Sequence, residues 1–159
     1  MRNTPFVMRE QQYHQIKAVL AKLRLGSMAR VVFLVDKNGQ PIAMHGEVGD
    51  IDTTSLASLA AGNVAATGGM AHLIGEKEFP TLSHEGEREN IHICIIDRTL
   101  LVTVFDGRSS LGLVKLRVKQ AANELVGIFQ EIMRESSKKS EETSPFAEIT
   151  DDDIDSLFS

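Results

Sequence analysis

The side chains that could do chemistry are spread thinly along this chain, and none of them falls into a catalytic pattern. A phosphate-binding loop needs a glycine-rich turn followed by Lys and Ser or Thr, whereas Gly68-Gly69 lies inside a helical pattern. The histidines lack the close spacing of metal ligands, and we interpret each as a surface or strand residue: His14, His45, His72, His84 and His92. We therefore expect no metal site and no cofactor.

The hydroxyls and carboxylates are explained by local structure. Ser109 and Ser110 precede a long helical pattern, where hydroxyls serve as helix caps. Asp36, Asp97 and Asp106 follow strand patterns, where turns favour aspartate. The sequence thus predicts no catalytic residue, and we expect a protein that is not itself an enzyme.

Cysteine usage and hydropathy indicate where such a chain works. Cys94 is the only cysteine and lies in the apolar run 91–96, which favours a buried, inert thiol. One cysteine excludes a disulfide framework within the chain. The N-terminal residues lack a signal-peptide pattern, and the apolar runs are too short to cross a bilayer. We expect a cytoplasmic protein.

The charge is unevenly distributed. Residues 141–159 carry seven acidic residues and no Lys or Arg, whereas the rest of the chain holds all 17 basic residues and 15 acidic ones. A near-neutral body argues against nucleic acid as the main partner. The acidic end is predicted to be a separate functional segment.

The patterns predict an α+β domain with a mostly antiparallel sheet. The first helical pattern covers 8–25, with Gly26 as the stop. The second covers 54–74 and is ended by Gly75, and a third, long pattern starts at Leu111. Strand patterns cover 30–35, 41–45, 91–96 and 100–105, with a short edge strand around 79–84. Asn38-Gly39 favours positive φ and a tight hairpin. We place the domain at 1–135, a flexible linker at 136–145 and an acidic amphipathic segment at 146–159.

The central helical pattern has an unusual composition. Residues 57–71 read ASLAAGNVAATGGMA, with six alanines and three glycines. Glycine in a helix interior costs about 0.5–1 kcal/mol relative to alanine, so these glycines need a reason. We expect one side to face the sheet, formed by Leu56, Leu59, Asn63, Met70 and Leu73. The opposite side is nearly flat and carries Ser58, Ala61, Gly62, Ala65, Gly68, Gly69 and His72.

That flat side has two interpretations. It could pack tightly against another element of the same chain, or it could be a docking surface for a partner or a second subunit. We favour docking, because the other two helices already have apolar stripes that cover the opposite face of the sheet.

The acidic end resembles a docking peptide. Thr150 is a good N-cap, the aspartates that follow suit the first turn of a helix, and Ile154, Leu157 and Phe158 lie three and four positions apart, on one face. The residues that would dock are Phe146, Ile149, Ile154, Leu157 and Phe158. A disordered solubilising tail is the alternative. Basic residues on the two long helices could form a dock for an acidic segment or a solvated face; they are Lys17, Lys22, Arg24, Lys115, Arg117 and Lys119.

Several segments resemble the bacterial Roadblock proteins of the dynein light-chain superfamily, and the resemblance covers nearly the whole chain. The segments that carry it are VVFLVDKNGQ, IDTTSLASLAAGNVAATGG, LIGEKEFP, SSLGLVKLR and SPFAEITDDDIDSLF. The resemblance implies a Roadblock fold: a five-stranded sheet with one helix on one face and two on the other. It also implies a homodimer whose sheets join edge to edge, with the central helices paired on one face.

The resemblance further implies a function. Two subunits bind one Ras-like GTPase, MglA, in its GTP form through the flat helix side, and they accelerate GTP hydrolysis by repositioning the GTPase's own catalytic residues. No arginine finger is implied, which agrees with the absence of Arg from positions 58–72. The implied setting is cell polarity in gliding motility, with the protein concentrated at a cell pole.

The acidic end is implied to modulate nucleotide exchange. It could dock in trans on the GTPase or in cis on Lys115 and Lys119. The alternative function is a Roadblock scaffold that recruits a GTPase and polarity proteins without changing the chemistry.

Overall fold

Five strands and three helices make up the computed structural model, which describes residues 9–143, with side chains to residue 138. The elements in chain order are α1 (Glu10–Ser27), β1 (Val31–Asp36), β2 (Pro41–Gly46), α2 (Thr53–Leu73), β3 (Thr81–Glu85), β4 (Asn90–Ile96), β5 (Thr99–Phe105) and α3 (Leu111–Thr143). The predicted order of elements and the α+β class are confirmed.

The strands form one sheet in the order β2-β1-β5-β4-β3, and every neighbouring pair is antiparallel. β5 lies at the centre and is buried along its whole length. A strand covered on both faces reads as a continuous apolar run, which is why 99–105 has no alternation.

The two faces of the sheet are covered by different helices. α1 and α3 pack together on one face, where Leu20 and Leu125 are fully buried against strand residues such as Leu34 and Leu101. Among the described elements, α2 is the helix that covers the other face, over the second core cluster. The predicted arrangement of one helix on one face and two on the other is confirmed.

The β1–β2 turn differs in detail from the predicted hairpin. Gly39 has positive φ (91°), but Asn38 does not, and the register shifts between Leu34 and Val35. Asp36 Oδ1 accepts hydrogen bonds from the backbone N–H groups of Asn38 and Gln40. The aspartate therefore organises a wider turn than an Asn-Gly pair alone would make.

Two helix ends differ from the sequence prediction. α1 continues through Gly26 and is capped at Met28, which adopts the left-handed conformation with φ 57°. α3 continues to Thr143, so residues 136–143 of the segment predicted as a linker are helical. Glu and Lys in that stretch are good helix formers even without apolar contacts. The division into domain, linker and tail itself stays a prediction.

Candidate functional site

The N-terminus of α2 is held by a side-chain cap. Asp52 Oδ1 accepts a hydrogen bond from the backbone N–H of Ser55 (3.1 Å), and Asp52 Oδ2 accepts one from Ser55 Oγ (2.7 Å). These hydrogen bonds stabilise the carboxylate and lower the pKa of Asp52 below its ordinary value. At the other end, Gly75 with φ 82° follows the helix and donates its N–H to the carbonyl of His72. The predicted stop at Gly75 is confirmed.

The side of α2 that faces the sheet is not the predicted one. Leu59, Met70 and Leu73 have 72%, 60% and 87% of their surface exposed, whereas the buried residues are Ala57, Ala60, Val64 and Ala71. Leu56 and Asn63, also predicted to face the sheet, are half-buried at the margin.

The reason for this orientation lies in the strands below. They fill the interface with large side chains, including Val31, Phe33, Val35, Ile93 and Leu100. A helix whose buried residues are alanine and valine can approach such a surface closely.

Most of the predicted docking residues lie together beside α2. Ala61, Ala65, Gly68, Gly69 and His72 line a shallow groove of about 430 Å³. Ser58 lies next to the β1–β2 turn, since a Cβ on Gly39 would be 3.1 Å from its Cα. Gly62 is exposed and is not among the groove residues.

The opposite wall of the groove comes from loops that sequence reasoning did not assign to the site. Lys37 follows β1, and Lys77 and Glu78 follow α2. Lys37 Nζ donates to Glu78 Oε1 at 3.0 Å, which joins the two loops on this side of the groove. No pattern in the sequence pairs residues that are 41 positions apart.

The helix glycines have open space around them. A Cβ built on Gly62, Gly68 or Gly69 meets no atom within 4 Å in the described part of the chain. The interpretation of tight packing within the chain therefore has no support at these positions. The absence of side chains leaves a smooth surface that faces outward.

The other flank of α2 adjoins the sheet edge formed by β3. Asn63 Nδ2 lies 2.7 Å from His84 Nε2, so the helix is hydrogen-bonded to the edge strand. At the opposite edge, Pro41 begins β2, and Lys17 Nζ donates to the carbonyl of Met44. Proline and lysine at an edge strand hinder pairing with another strand. Only the β3 edge combines exposed polar strand residues with a neighbouring apolar helix surface among the described elements.

The residues that could do chemistry are engaged in structural roles. Ser109 Oγ donates to the carbonyl of Ser27, and Ser110 Oγ accepts from the backbone N–H of Leu113. His92 is 1% exposed, and its Nδ1 lies 2.7 Å from Ser83 Oγ. Burial raises the pKa of the Cys94 thiol, which disfavours the reactive thiolate.

Within the described residues, no cluster of three or more His, Cys, Asp or Glu side chains could hold a metal ion. None of the helices there has the combination of length and hydropathy that a membrane span requires. The predicted tail residues lie outside the described part of the chain: Phe146, Ile149, Ile154, Leu157 and Phe158.

Comparisons with known proteins agree with this architecture. Residues 16–105 match the Roadblock/LC7 domain family. MglB of Myxococcus xanthus is 54% identical, with a TM-score of 0.75 over 79% of this chain and 96% of that chain. The gliding protein MglB of Thermus thermophilus, and a structure described as MglB with tetrameric arrangement, are each 34% identical with the same coverage and TM-score. A search of curated proteins finds no match.

Proposed function

Because the chain belongs to the Roadblock/LC7 family, we propose that it is a homodimeric GTPase-activating protein for the Ras-like polarity GTPase MglA. Two subunits bind one GTPase in its GTP form, and the flat side of α2 is the contact surface. The protein supplies no catalytic group and needs no cofactor. The setting is the cytoplasm, with concentration at a cell pole.

The observation that carries this proposal is the open space around the α2 glycines. Gly62, Gly68 and Gly69 weaken the helix, and no described contact requires them. A surface without side chains allows the backbone of another protein to approach closely. The cost to the helix is explained if the contact that needs the glycines is made with a partner.

The charges of the groove support activation by repositioning. Lys37, Lys77 and Glu78 lie at its rim, and the ion pair between Lys37 and Glu78 neutralises two of these charges. Positions 58–72 contain no Arg. An inserted arginine finger is worth about 10³–10⁵ in the rate of GTP hydrolysis. A protein without one acts by binding the hydrolysis-competent conformation of the GTPase more tightly than its other conformations. The acceleration should therefore be smaller.

The dimer is proposed to form through the β3 edge. β3 pairs with β4 on one side only, so its other side is a free edge of the sheet among the described strands. Leu59 and Met70 are exposed on α2, the helix that is hydrogen-bonded to this edge strand. Joining two β3 strands would satisfy their free backbone groups and would bring two α2 helices together. The exposed apolar residues of α2 would then be covered.

The test is phosphate release from GTP-loaded MglA with wild-type protein, with the variant Ala65→Arg, and with the control Ala18→Arg. Ala65 is exposed in the proposed surface, and Ala18 is exposed in α1 on the other side of the sheet. We expect Ala65→Arg to abolish the stimulation while the dimer persists, and Ala18→Arg to retain it. Normal stimulation by Ala65→Arg would refute the docking surface.

The same assay separates the activator from a scaffold. A scaffold that only recruits the GTPase would bind MglA-GTP without changing the rate of phosphate release. Binding with an unchanged rate would replace the activator proposal with the scaffold.

A further inference from the structure

A recess lies between α1 and the edge strand β2, on the face of the sheet opposite to α2. Its volume is about 530 Å³, and its lining includes Lys17 and Arg24 of α1 and His45 and Glu47 at the end of β2. His45 pairs with Val32, whose side chain belongs to the core under α1, so both side chains lie on that face. The proposed contact with a GTPase uses none of the residues that line this recess.

Arg24 is the unusual residue of the recess. Its side chain is only 24% exposed, yet none of its nitrogens makes a hydrogen bond in the described part of the chain, and its Nε is buried. The other half-buried arginines each donate through Nη1, Arg30 to Glu89 and Arg117 to Gln120. A guanidinium has five N–H donors, and donors left unpaired away from water are costly. The donors of Arg24 are therefore available to a ligand.

The end of β2 fixes the position of this side chain. A Cβ on Gly46 would lie 3.0 Å from Arg24 Cδ, so the aliphatic stem of the arginine runs across the strand where no side chain intervenes. Because the stem is packed in this way, a ligand would have to order little more than the guanidinium itself. Preorganisation of this kind lowers the entropic cost of binding.

The neighbours of Arg24 add further nitrogen groups. His45 Nδ1 is also buried without a hydrogen-bond partner among the described residues. Lys17 Nζ donates to the carbonyl of Met44 at 3.0 Å, which uses one of its three N–H groups. Lys17 and Arg24 are seven positions apart, on the same side of α1 and separated by about 10.5 Å along its axis. The recess thus brings together nitrogen groups from two elements.

Glu47 is the acidic residue of the lining, and its contact with Arg24 is weak. Its Oε1 lies 3.9 Å from Arg24 Nη2, which is too long for a hydrogen bond, and its side chain is 70% exposed. An oxyanion that accepts hydrogen bonds directly from the guanidinium would replace this distant carboxylate.

The arrangement suits a tetrahedral anion better than a planar one. A carboxylate directs its oxygens into one plane, whereas a phosphate group presents oxygens in several directions. Arginine binds phosphate through its planar fork of N–H groups, and lysine adds a compact positive charge. Since the nitrogen groups here come from both α1 and β2, a phosphate group can meet them from more than one side.

We propose that this recess binds a phosphate group, either free or esterified to a small molecule. The phosphate accepts hydrogen bonds from the guanidinium of Arg24 and the ammonium of Lys17, lies beside His45, and displaces Glu47. The site is on the opposite face of the sheet from α2, so the proposal stands independently of the proposed function.

The test is a titration of the full-length, ¹⁵N-labelled protein with inorganic phosphate and, separately, with glycerol 3-phosphate. The pH is constant, sodium chloride keeps the ionic strength constant, and NMR follows the backbone amide shifts of residues 44–47. We expect saturable shifts, and the probe that binds more tightly identifies the free or the esterified form as the better ligand. Shifts no larger than those produced by sodium chloride alone would refute the site.

Variants test the named contacts. Arg24→Gln should weaken binding by about tenfold or more, because charge-assisted hydrogen bonds are lost, and Lys17→Gln should weaken it less. Arg134→Gln removes the same charge at an exposed position of α3 and should bind like wild type.

Glu47→Gln gives a change of opposite sign. It removes the competing carboxylate and should tighten binding by about twofold to fivefold, the size expected for an exposed charge. This variant decides the question if Arg24→Gln does not fold. Wild-type affinity in a folded Arg24→Gln protein, or binding to Glu47→Gln that is no tighter than to wild type, would overturn the proposal.

Discussion

Asn63 of α2 and His84 of β3 are joined by a side-chain hydrogen bond of 2.7 Å between Nδ2 and Nε2. The bond connects the central helix to the free edge of the sheet, the two elements from which the proposed dimer is built. Because the helix is tied to the edge strand, a second subunit would meet a single preformed surface. Leu59, Met70 and Leu73 are large apolar residues of α2 that are exposed.

The first prediction concerns this dimer surface. Leu59→Glu should raise the dimer dissociation constant by about tenfold or more, because the interface would have to bury an unpaired carboxylate. Leu25→Glu is the matched control, since Leu25 is 70% exposed and Leu59 is 72% exposed, on opposite sides of the sheet. Analytical ultracentrifugation measures both. Equal dimerisation of the two variants would contradict an interface on α2.

The second prediction concerns the glycines. Gly68→Ala should raise the free energy of unfolding by about 0.5–1 kcal/mol, because alanine favours the helix and the added methyl meets no described atom within 4 Å. The same variant should stimulate MglA less, since the methyl lies on the proposed contact surface. Urea denaturation and phosphate release measure the two effects.

Gly46 provides the contrast to Gly68. Its φ is 128°, and a Cβ there would clash with the carbonyl oxygen of Arg30, so Gly46→Ala should lower the free energy of unfolding. If Gly68→Ala were also destabilising, the glycine would have a structural role within the chain.

The third prediction concerns pH. Burial, together with the nearby charge of Lys115, lowers the pKa of His92 from its ordinary value of 6.5. Between the lowered pKa and 6.5, the unfolded state binds more protons than the folded state. The free energy of unfolding should therefore fall as the pH falls through this window, by at most about 1.4 kcal/mol per pH unit.

Urea denaturation over a pH series measures this slope. His92→Gln should flatten it, because the titrating group is gone, and Lys115→Gln should reduce it less, because burial is the larger cause. An unchanged slope in His92→Gln would assign the pH dependence to other groups.

The fourth prediction concerns the tail. Deleting residues 145–159 should leave the stimulation of GTP hydrolysis largely intact and should alter nucleotide exchange on MglA, because we propose that the tail modulates exchange by binding the GTPase away from its active site. Phosphate release and the exchange of a fluorescent nucleotide measure the two activities. Loss of the stimulated hydrolysis would place the tail in the main contact surface instead.

The sequence predicted the elements best where burial leaves a regular pattern. The stripe from Val114 to Ile132 in α3 and the apolar run of β5 follow directly from which sides are covered. Hairpin geometry was less predictable: Asp36 and the register shift after Leu34 decide the turn, and neither is visible in an Asn-Gly pair.

The central helix α2 shows which features the sequence determines and which the tertiary structure decides. Its small-residue composition, its approximate length and its end at Gly75 follow from the sequence alone. Its orientation was decided by the tertiary structure, because a helix that is apolar on nearly every side has no periodicity to choose a face. The buried residues are Ala57, Ala60, Val64 and Ala71, because the strand side chains beneath α2 are already large. In this orientation Leu59 and Met70 are exposed to solvent, and Gly68 and Gly69 line the groove.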